Sequence, residues 1–223
     1  MARKMTLWLV WVGFIAYVLF FAPPLHLDQT LTLLKNILTF QLTEINPIIL
    51  SLFSLVGIWI FIYSGVLFID GRIQKIPFWP FAIASLGSGV LGLLPYLATR
   101  QSNQEFSGQK NALLHFLDSR LYGIMLTLST LIILGYSLAF GNWGDFVEQF
   151  LGDRFINGMS LALVLFYLLF PTVVGDDMAR RHWYQPQVFL AVVFVPLLGS
   201  LAYLCLRPPL FSSTNREKIL MAN

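Results

Sequence analysis

Charge is what this chain has least of. Acidic and basic residues make up 11% of its 223 positions, against roughly 25% in soluble globular domains. Hydrophobic residues make up 57%, and the mean hydropathy is +0.73. A chain this short does not provide enough interior to hide so much apolar surface from water. A lipid bilayer is the solvent that suits it. The net charge is only +3, with no basic stripe or base-stacking motif, which excludes a nucleic-acid partner. A single cysteine, Cys205, rules out an internal disulfide and leaves the redox compartment open. It reads as a small buried hydrophobe.

Histidine is equally scarce. His26, His115 and His182 all fall in connections between apolar runs, so no imidazole pair stands inside a bundle to ligate haem. The same absence removes the commonest ligand for chlorophyll magnesium, leaving asparagine, glutamine or water. Ionisable side chains are nearly missing from the runs, whereas ion-coupled transporters place them at mid-membrane depth. No Ser-His-Asp set, phosphate-binding loop or zinc spacing occurs.

What is present is six apolar runs, Met5–Ala22, Pro47–Ile69, Phe78–Ala98, Leu121–Phe140, Ile156–Val174 and Gln187–Leu206. Each approaches the ~20 residues that a helix needs to cross a bilayer, and helices satisfy their own backbone in lipid. The first run follows Arg3 and Lys4 as a signal peptide would. It ends in Phe-Ala-Pro-Pro without a small-x-small cleavage site, and is read as a retained helix. Asn46-Pro47 predicts an N-cap and first helical turn, and Gly71 a C′ residue. Leucines through Leu27–Leu42 predict an amphipathic helix in the interface, with Trp143–Leu151 as a shorter counterpart. Trp79, Trp143, Trp183 and Tyr184 stand at run edges, where amphipathic rings favour headgroups.

A motif recurs. Gly92–Arg100 reads GLLPYLATR and Gly199–Arg207 reads GSLAYLCLR, both fitting G-x-L-x-Y-L-x-x-R. An aspartate precedes each arginine at the same spacing, Asp70 and Asp177. This predicts two repeats, 1–100 and 121–207, joined by a polar connection at 101–120 and followed by a flexible tail at 208–223. Three crossings per repeat would invert the second copy against the first. Lysine and arginine then spread over both membrane faces without fixing orientation. Asp70 and Arg100 would lie on opposite faces, so the expected pairs are between repeats, Asp70 with Arg207 and Asp177 with Arg100. The alternative is that each charge marks where a helix leaves lipid, with the arginines extending to headgroups. Within the motif Gly92, Tyr96 and Arg100, like Gly199, Tyr203 and Arg207, share one helix face. The glycines suit close packing and the tyrosines stack beside them. The small residues Ser85, Gly87, Ser88, Gly89 and Gly92 place the third helix at the bundle centre.

The most charged segment is Asp176-Asp177-Met178-Ala179-Arg180-Arg181. Adjacent aspartates invite comparison with metal-diphosphate sites of membrane prenyltransferases, which need a second acidic motif to hold magnesium. Asp70-Gly71-Arg72 offers one carboxylate, and the further aspartates of CDP-alcohol transferases are missing. No catalytic or metal-ligating residue is therefore assigned. Asp176 with Arg180 and Asp177 with Arg181 read as i,i+4 pairs, forming a surface staple or docking patch.

Asn46-Pro47, Asp70-Gly71-Arg72, Leu94-Pro95-Tyr96 and the Asp-Asp-Met-Ala-Arg-Arg turn together resemble a family of integral membrane proteins of cyanobacteria with relatives in plant chloroplasts. The resemblance covers Asn46–Arg100 and Asp118–Pro209. It departs at Ser54-Leu-Val-Gly57, where the family has Asn-Leu-Met-Gly. It implies a thylakoid or plasma-membrane setting in a photosynthetic organism and carries no activity, cofactor or catalytic residue. The reading is an all-α polytopic membrane bundle of about six transmembrane helices in an inverted 3+3 repeat. Its function would be that of a non-catalytic accessory, assembly or scaffold protein of photosynthetic complexes. Its partners would be membrane lipid and a membrane complex such as a photosystem. Contact candidates are Asp70, Arg72, Arg100, Asp176, Asp177, Arg180, Arg181 and Arg207. No cofactor is assigned, with bound chlorophyll, carotenoid or lipid left open. A small-solute transporter is the alternative, and a lipid- or pigment-modifying enzyme ranks third.

Overall fold

The computed structural model describes residues 2–106 and 109–210, whose regular structure is entirely helical. In chain order the helices are α1 (Ala2–Ala16, continued by a π-helical turn Tyr17–Phe21), α2 (Leu27–Leu38), α3 (Pro47–Asp70), α4 (Trp79–Ser88), α5 (Val90–Thr99) and α6 (Ala112–Leu117). Then follow α7 (Arg120–Phe140), α8 (Trp143–Gly152), α9 (Arg154–Leu169), α10 (Pro171–Arg180), α11 (Pro186–Phe194) and α12 (Leu198–Leu206). Among the described residues, four stretches are long and apolar enough to cross a membrane: Ala2–Phe21, Pro47–Asp70, Arg120–Phe140 and Arg154–Arg180.

The third and sixth apolar runs are not crossings. Each is folded into a helical hairpin whose arms, 9 or 10 residues long, reach about 15 Å, half of a ~30 Å hydrocarbon core. The first hairpin turns at Gly89, whose φ of +58° and ψ of −132° suit glycine. The second turns by other chemistry. Pro196 holds Val195 extended (φ −112°, ψ 93°). Leu197 (φ 60°, ψ −60°) then centres a γ-turn in which the Leu198 N–H donates to the Pro196 carbonyl at 2.6 Å. Both tips lie about halfway along the bundle. Gly89 sits against Val56, near the middle of the 24-residue α3, and the Tyr167 hydroxyl, midway along Arg154–Arg180, donates to the Val193 carbonyl.

The motif glycines close these hairpins. A Cβ on Gly92 would stand 2.5 Å from the Ser85 nitrogen, and one on Gly199 would overlap the Ala191 carbonyl. The small residues of the third run thus serve contact between arms rather than a central helix. The central helix is α3, with both Trp59 and Tyr63 essentially inaccessible. Pro95, inside α5, cannot donate to the carbonyl four residues back. Trp11 of α1 supplies the missing donor, its Nε1 reaching the Leu91 oxygen at 3.0 Å.

With two candidate crossings per copy instead of three, the copies run parallel, not inverted. Asp70 at the end of α3 and Asp177 of α10 meet at one end of the bundle, both within reach of Arg180. The axis relating the copies passes between α3 and α9. There Trp59 stacks on Phe166 (centroids 6.4 Å apart, planes 5° apart) and Tyr63 packs edge-on against Phe170 at 5.2 Å. Each pair joins residues at the spacing that separates Asp70 from Asp177.

The opposite end carries the amphipathic α2 and α8, as the sequence predicts. Asn46 caps α3 through the Ile48 N–H and reaches Asp145 of α8 at 2.6 Å, while Asp153 caps α9. Gly71 follows α3 with φ −62°, not in the left-handed region. What demands glycine is the Phe78 backbone, 2.9 Å from where a Cβ would stand. Of the segment expected to be a flexible tail, Pro208 and Leu210 are bonded into the bundle, and 211–223 lie outside the described residues.

Candidate functional site

The hairpins return each motif arginine to the end where its aspartate stands. Arg100 grips Asp70 side-on, Nε to Oδ2 at 2.9 Å and Nη2 to Oδ1 at 2.6 Å, and the Tyr96 hydroxyl donates to Oδ2 at 2.9 Å. The second copy repeats this design more loosely. Tyr203 donates to Asp177 Oδ2 at 2.5 Å, while Arg207 Nη1 is 3.3 Å from the same oxygen. Arg207 is held instead by the Gly65 and Leu117 carbonyls, at 3.1 and 2.7 Å. The carboxylate it gives up is taken by Arg181, whose Nε lies 2.9 Å from Asp177.

Three further links fuse the copies into one network. Arg180 Nη1 donates to Asp70 at 2.8 Å, and Asp176 accepts from Arg100 at 2.7 Å and from the Ser102 hydroxyl at 2.6 Å. Arg181 Nη1 donates to Asp118 at 2.6 Å and to the Pro208 carbonyl at 2.6 Å, and Lys110 closes on Asp118 at 2.5 Å. Asp70 and Asp177 are fully inaccessible, and Arg100, Arg180, Arg181 and Arg207 are 4% exposed or less.

The pairing expected between repeats is therefore overturned: Asp70–Arg100 and Asp177–Arg207 form within each copy, because a hairpin ends on the face where it began. The contacts between copies use Arg180 and Asp176 instead. Of the i,i+4 pairs in the charged turn, Asp177–Arg181 forms, whereas Asp176 and Arg180 turn to separate partners in the first copy. The segment is a buried crosslink, not a surface patch. Neither motif arginine extends to headgroups, and each motif tyrosine acts as a donor to its aspartate. Arg72 is exposed and stands outside the cluster. The sequence reading missed Asp118, Lys110 and Ser102, which lie in the connection read as a polar linker. No regular spacing ties them to their partners.

No family model, curated protein or solved structure matches the chain.

The electrostatics follow from the geometry. Burial opposes the charge of Asp118, yet Arg181 and Lys110 outweigh it and hold the carboxyl below its ordinary value. Burial likewise opposes the charge on Arg181, and Asp177 with Asp118 more than restores it. Arg207 goes the other way, depressed by burial and by the nearby Arg181. Four carboxylates, Asp70, Asp118, Asp176 and Asp177, face five cations, Arg100, Lys110, Arg180, Arg181 and Arg207. Cations outnumber carboxylates, and among the described residues several guanidinium nitrogens have no hydrogen-bond acceptor: Arg100 Nη1, Arg180 Nε and Nη2, and Arg207 Nε. The adjacent Asp176 and Asp177 address different arginines, so they do not form a joint site for a cation.

The ends of the bundle differ in sign. Within the described residues every lysine and arginine except Lys35 and Arg154 lies at the cluster end. Asp28, Glu44, Asp145, Glu148 and Asp153 lie at the other.

Proposed function

We propose that this chain is a non-catalytic integral membrane scaffold or accessory protein, associated with photosynthetic complexes of the thylakoid. The observation that supports it best is that the polar cluster is committed inward. Each of its carboxylates is bound to guanidinium, ammonium or hydroxyl donors of the same chain. Such a network clamps helices rather than presenting an acid, base or nucleophile to substrate. Around it, the outward side chains of α7 and α9 are apolar, among them Leu128, Leu131, Ile132, Val164 and Leu168, as suits lateral contact with lipid and other helices. The thylakoid setting rests on the sequence resemblance. By the positive-inside rule the cluster end faces the cytoplasmic or stromal side. The test is purification of the tagged chain in mild detergent with mass spectrometry of what accompanies it. Recovery of photosystem or pigment-protein subunits supports the reading, and recovery of the chain alone from intact thylakoids opposes it.

A small-solute transporter is the second reading. Helical hairpins that stop at half depth occur in transporters, and the Ser200 hydroxyl near the second tip is buried without a partner. Against it stand the aromatic rings filling the axis between copies. Solute uptake by vesicles containing the purified chain would favour it.

A further inference from the structure

Beyond the tip of the first hairpin, a groove of about 330 Å³ runs between α1 and α9. Gly13, Phe14 and Tyr17 line one side, and Leu161, Val164 and Leu165 the other. Its position follows from the unequal reach of the helices. On the cluster side of the tip α1 packs on α5, and the Trp11–Leu91 hydrogen bond marks the level where that support ends. Past this level α1 continues toward the acidic end without a hairpin arm beside it. It meets α9 again where the Tyr17 hydroxyl donates to Asn157 Oδ1 at 2.9 Å, and where Val18 stands 3.7 Å from the place of a Cβ on Gly158. In the second copy α7 packs along α3 instead, with the Ser51 hydroxyl donating to the Ile133 carbonyl at 3.1 Å. Leu7 is the one buried residue of the helix Ala2–Ala16, so α1 is braced by little protein.

The chemistry of the walls decides what the groove can hold. Tyr17 is the polar side chain among its lining residues, and its hydroxyl is taken by Asn157. A water needs two to four polar partners and finds none there. A helix is ~10 Å wide with its side chains, and the walls close to hydrogen-bonding distance at Tyr17–Asn157. Close helix packing also calls for small residues on both sides, whereas α9 offers Leu161, Val164 and Leu165. What fits is a thin, flexible hydrocarbon chain. Left empty, the groove forfeits the dispersion contacts of its lining.

We propose that this groove holds one acyl chain of a membrane lipid, drawn from the leaflet at the acidic end of the bundle. The inference rests on the chain being an integral membrane protein, where acyl chains surround the groove as solvent. The arms of α4 and α5 fill the space on the cluster side of the tip, so the chain enters from the acidic end and runs toward the tip. Gly13 leaves room for it, since nothing lies within 4 Å of where its Cβ would stand. The lipid then braces α1 over the stretch that no hairpin arm supports.

The full chain is reconstituted in phosphatidylcholine vesicles containing a phosphatidylcholine with a diazirine at mid-chain. After irradiation, adducts are mapped by mass spectrometry of peptides. Gly13→Phe and Val164→Phe each fill the groove, and Gly135→Phe, on the exposed face of α7 with open space at its Cβ, is the control. Melting temperatures verify the fold of all three. Adducts on 10–17 and 161–165 should exceed those on the exposed α7 residues 128–132 by about threefold or more. The two filled variants should remove that excess, and Gly135→Phe should keep it. With the probe exchanged into the outer leaflet alone, the excess should come from chains whose acidic end faces outward. Uniform labelling of α1, α9 and α7 overturns the proposal, as does an excess that survives both filled variants. Labelling of the groove below that of α7, as a second copy seated on α1 would cause, overturns it too. None of these failures touches the scaffold reading, which is tested by copurification.

Discussion

Arg180 donates to Asp70 at 2.8 Å, so a guanidinium from the second copy completes the ion pair of the first. The counterpart of Arg180 in the first copy is Ile73, and the counterpart of Asp176 is Ile69. The duplication is thus symmetric in its scaffold and asymmetric in its crosslinks. Removing Asp70 takes away the carboxylate that Arg100 and Arg180 share, leaving Arg100 with Asp176 and Arg180 with a looser contact to Asp177. Asp70→Ala should cost about 3–5 kcal/mol, the usual penalty for one partner of a buried pair. The check is a lowered melting temperature in detergent by tryptophan fluorescence. A drop no larger than that of Arg72→Ala would show that the network contributes little.

The half-depth hairpins make a prediction about sidedness. In a Cys205→Ser background, Lys75→Cys and Gln104→Cys should react with an impermeant maleimide from the same side of sealed vesicles. Gln41→Cys should react from the other. Labelling of positions 75 and 104 from opposite sides would restore the third run as a full crossing.

Two glycines of the first hairpin should respond in opposite directions. Gly92→Ala forces a methyl into the facing backbone of α4 and should destabilise by about 1–3 kcal/mol. At Gly87 a Cβ would meet nothing within 4 Å, so Gly87→Ala should stabilise by up to ~1 kcal/mol through helix propensity. Melting temperatures of the pair read the difference directly.

Trp11 and Pro95 should be coupled. Trp11→Phe removes the indole donor to the Leu91 carbonyl, costing about 1 kcal/mol. Pro95→Ala restores an amide aimed at that oxygen. In the Pro95→Ala background the Trp11→Phe penalty should shrink, a double-mutant cycle measured by thermal unfolding.

Asp118 carries a pH dependence whose sign follows from its environment. Its folded pKa is held below the ordinary value of about 3.9. Its stabilisation is therefore complete above that value and is lost as pH falls through the lower, folded pKa. Asp118→Asn should melt below the wild type at neutral pH, with the gap closing as the solution is acidified below pH ~4. A gap that is constant with pH would mean the charge is not what Asp118 contributes.

Much of the local structure was legible in the sequence. Asn46-Pro47 marked the start of α3, the leucine spacing marked α2, and the paired motifs marked a duplication. The end of the third run was not legible as a return. Its hydropathy and length match those of a crossing, and one glycine among several reverses the chain. In the sixth run the reversal rests on Pro196 and a strained Leu197, which no turn motif announces. Missing these two returns put Arg100 and Arg207 on the face opposite their own aspartates, and the predicted salt bridges went with them. The recurrent spacing of aspartate, tyrosine and arginine did point to the cluster. Asp118 and Lys110 stayed hidden because a partner across the bundle leaves no periodic trace.

The first hairpin leans on α9 as well as on α1 and α3, and its aspartate awaits Arg180. Its niche is therefore completed by segments that the ribosome produces later. During synthesis the arms of α4 and α5 emerge before the wall that shelters them exists. The first hairpin is therefore fully packed only once the carboxyl-terminal half has been made.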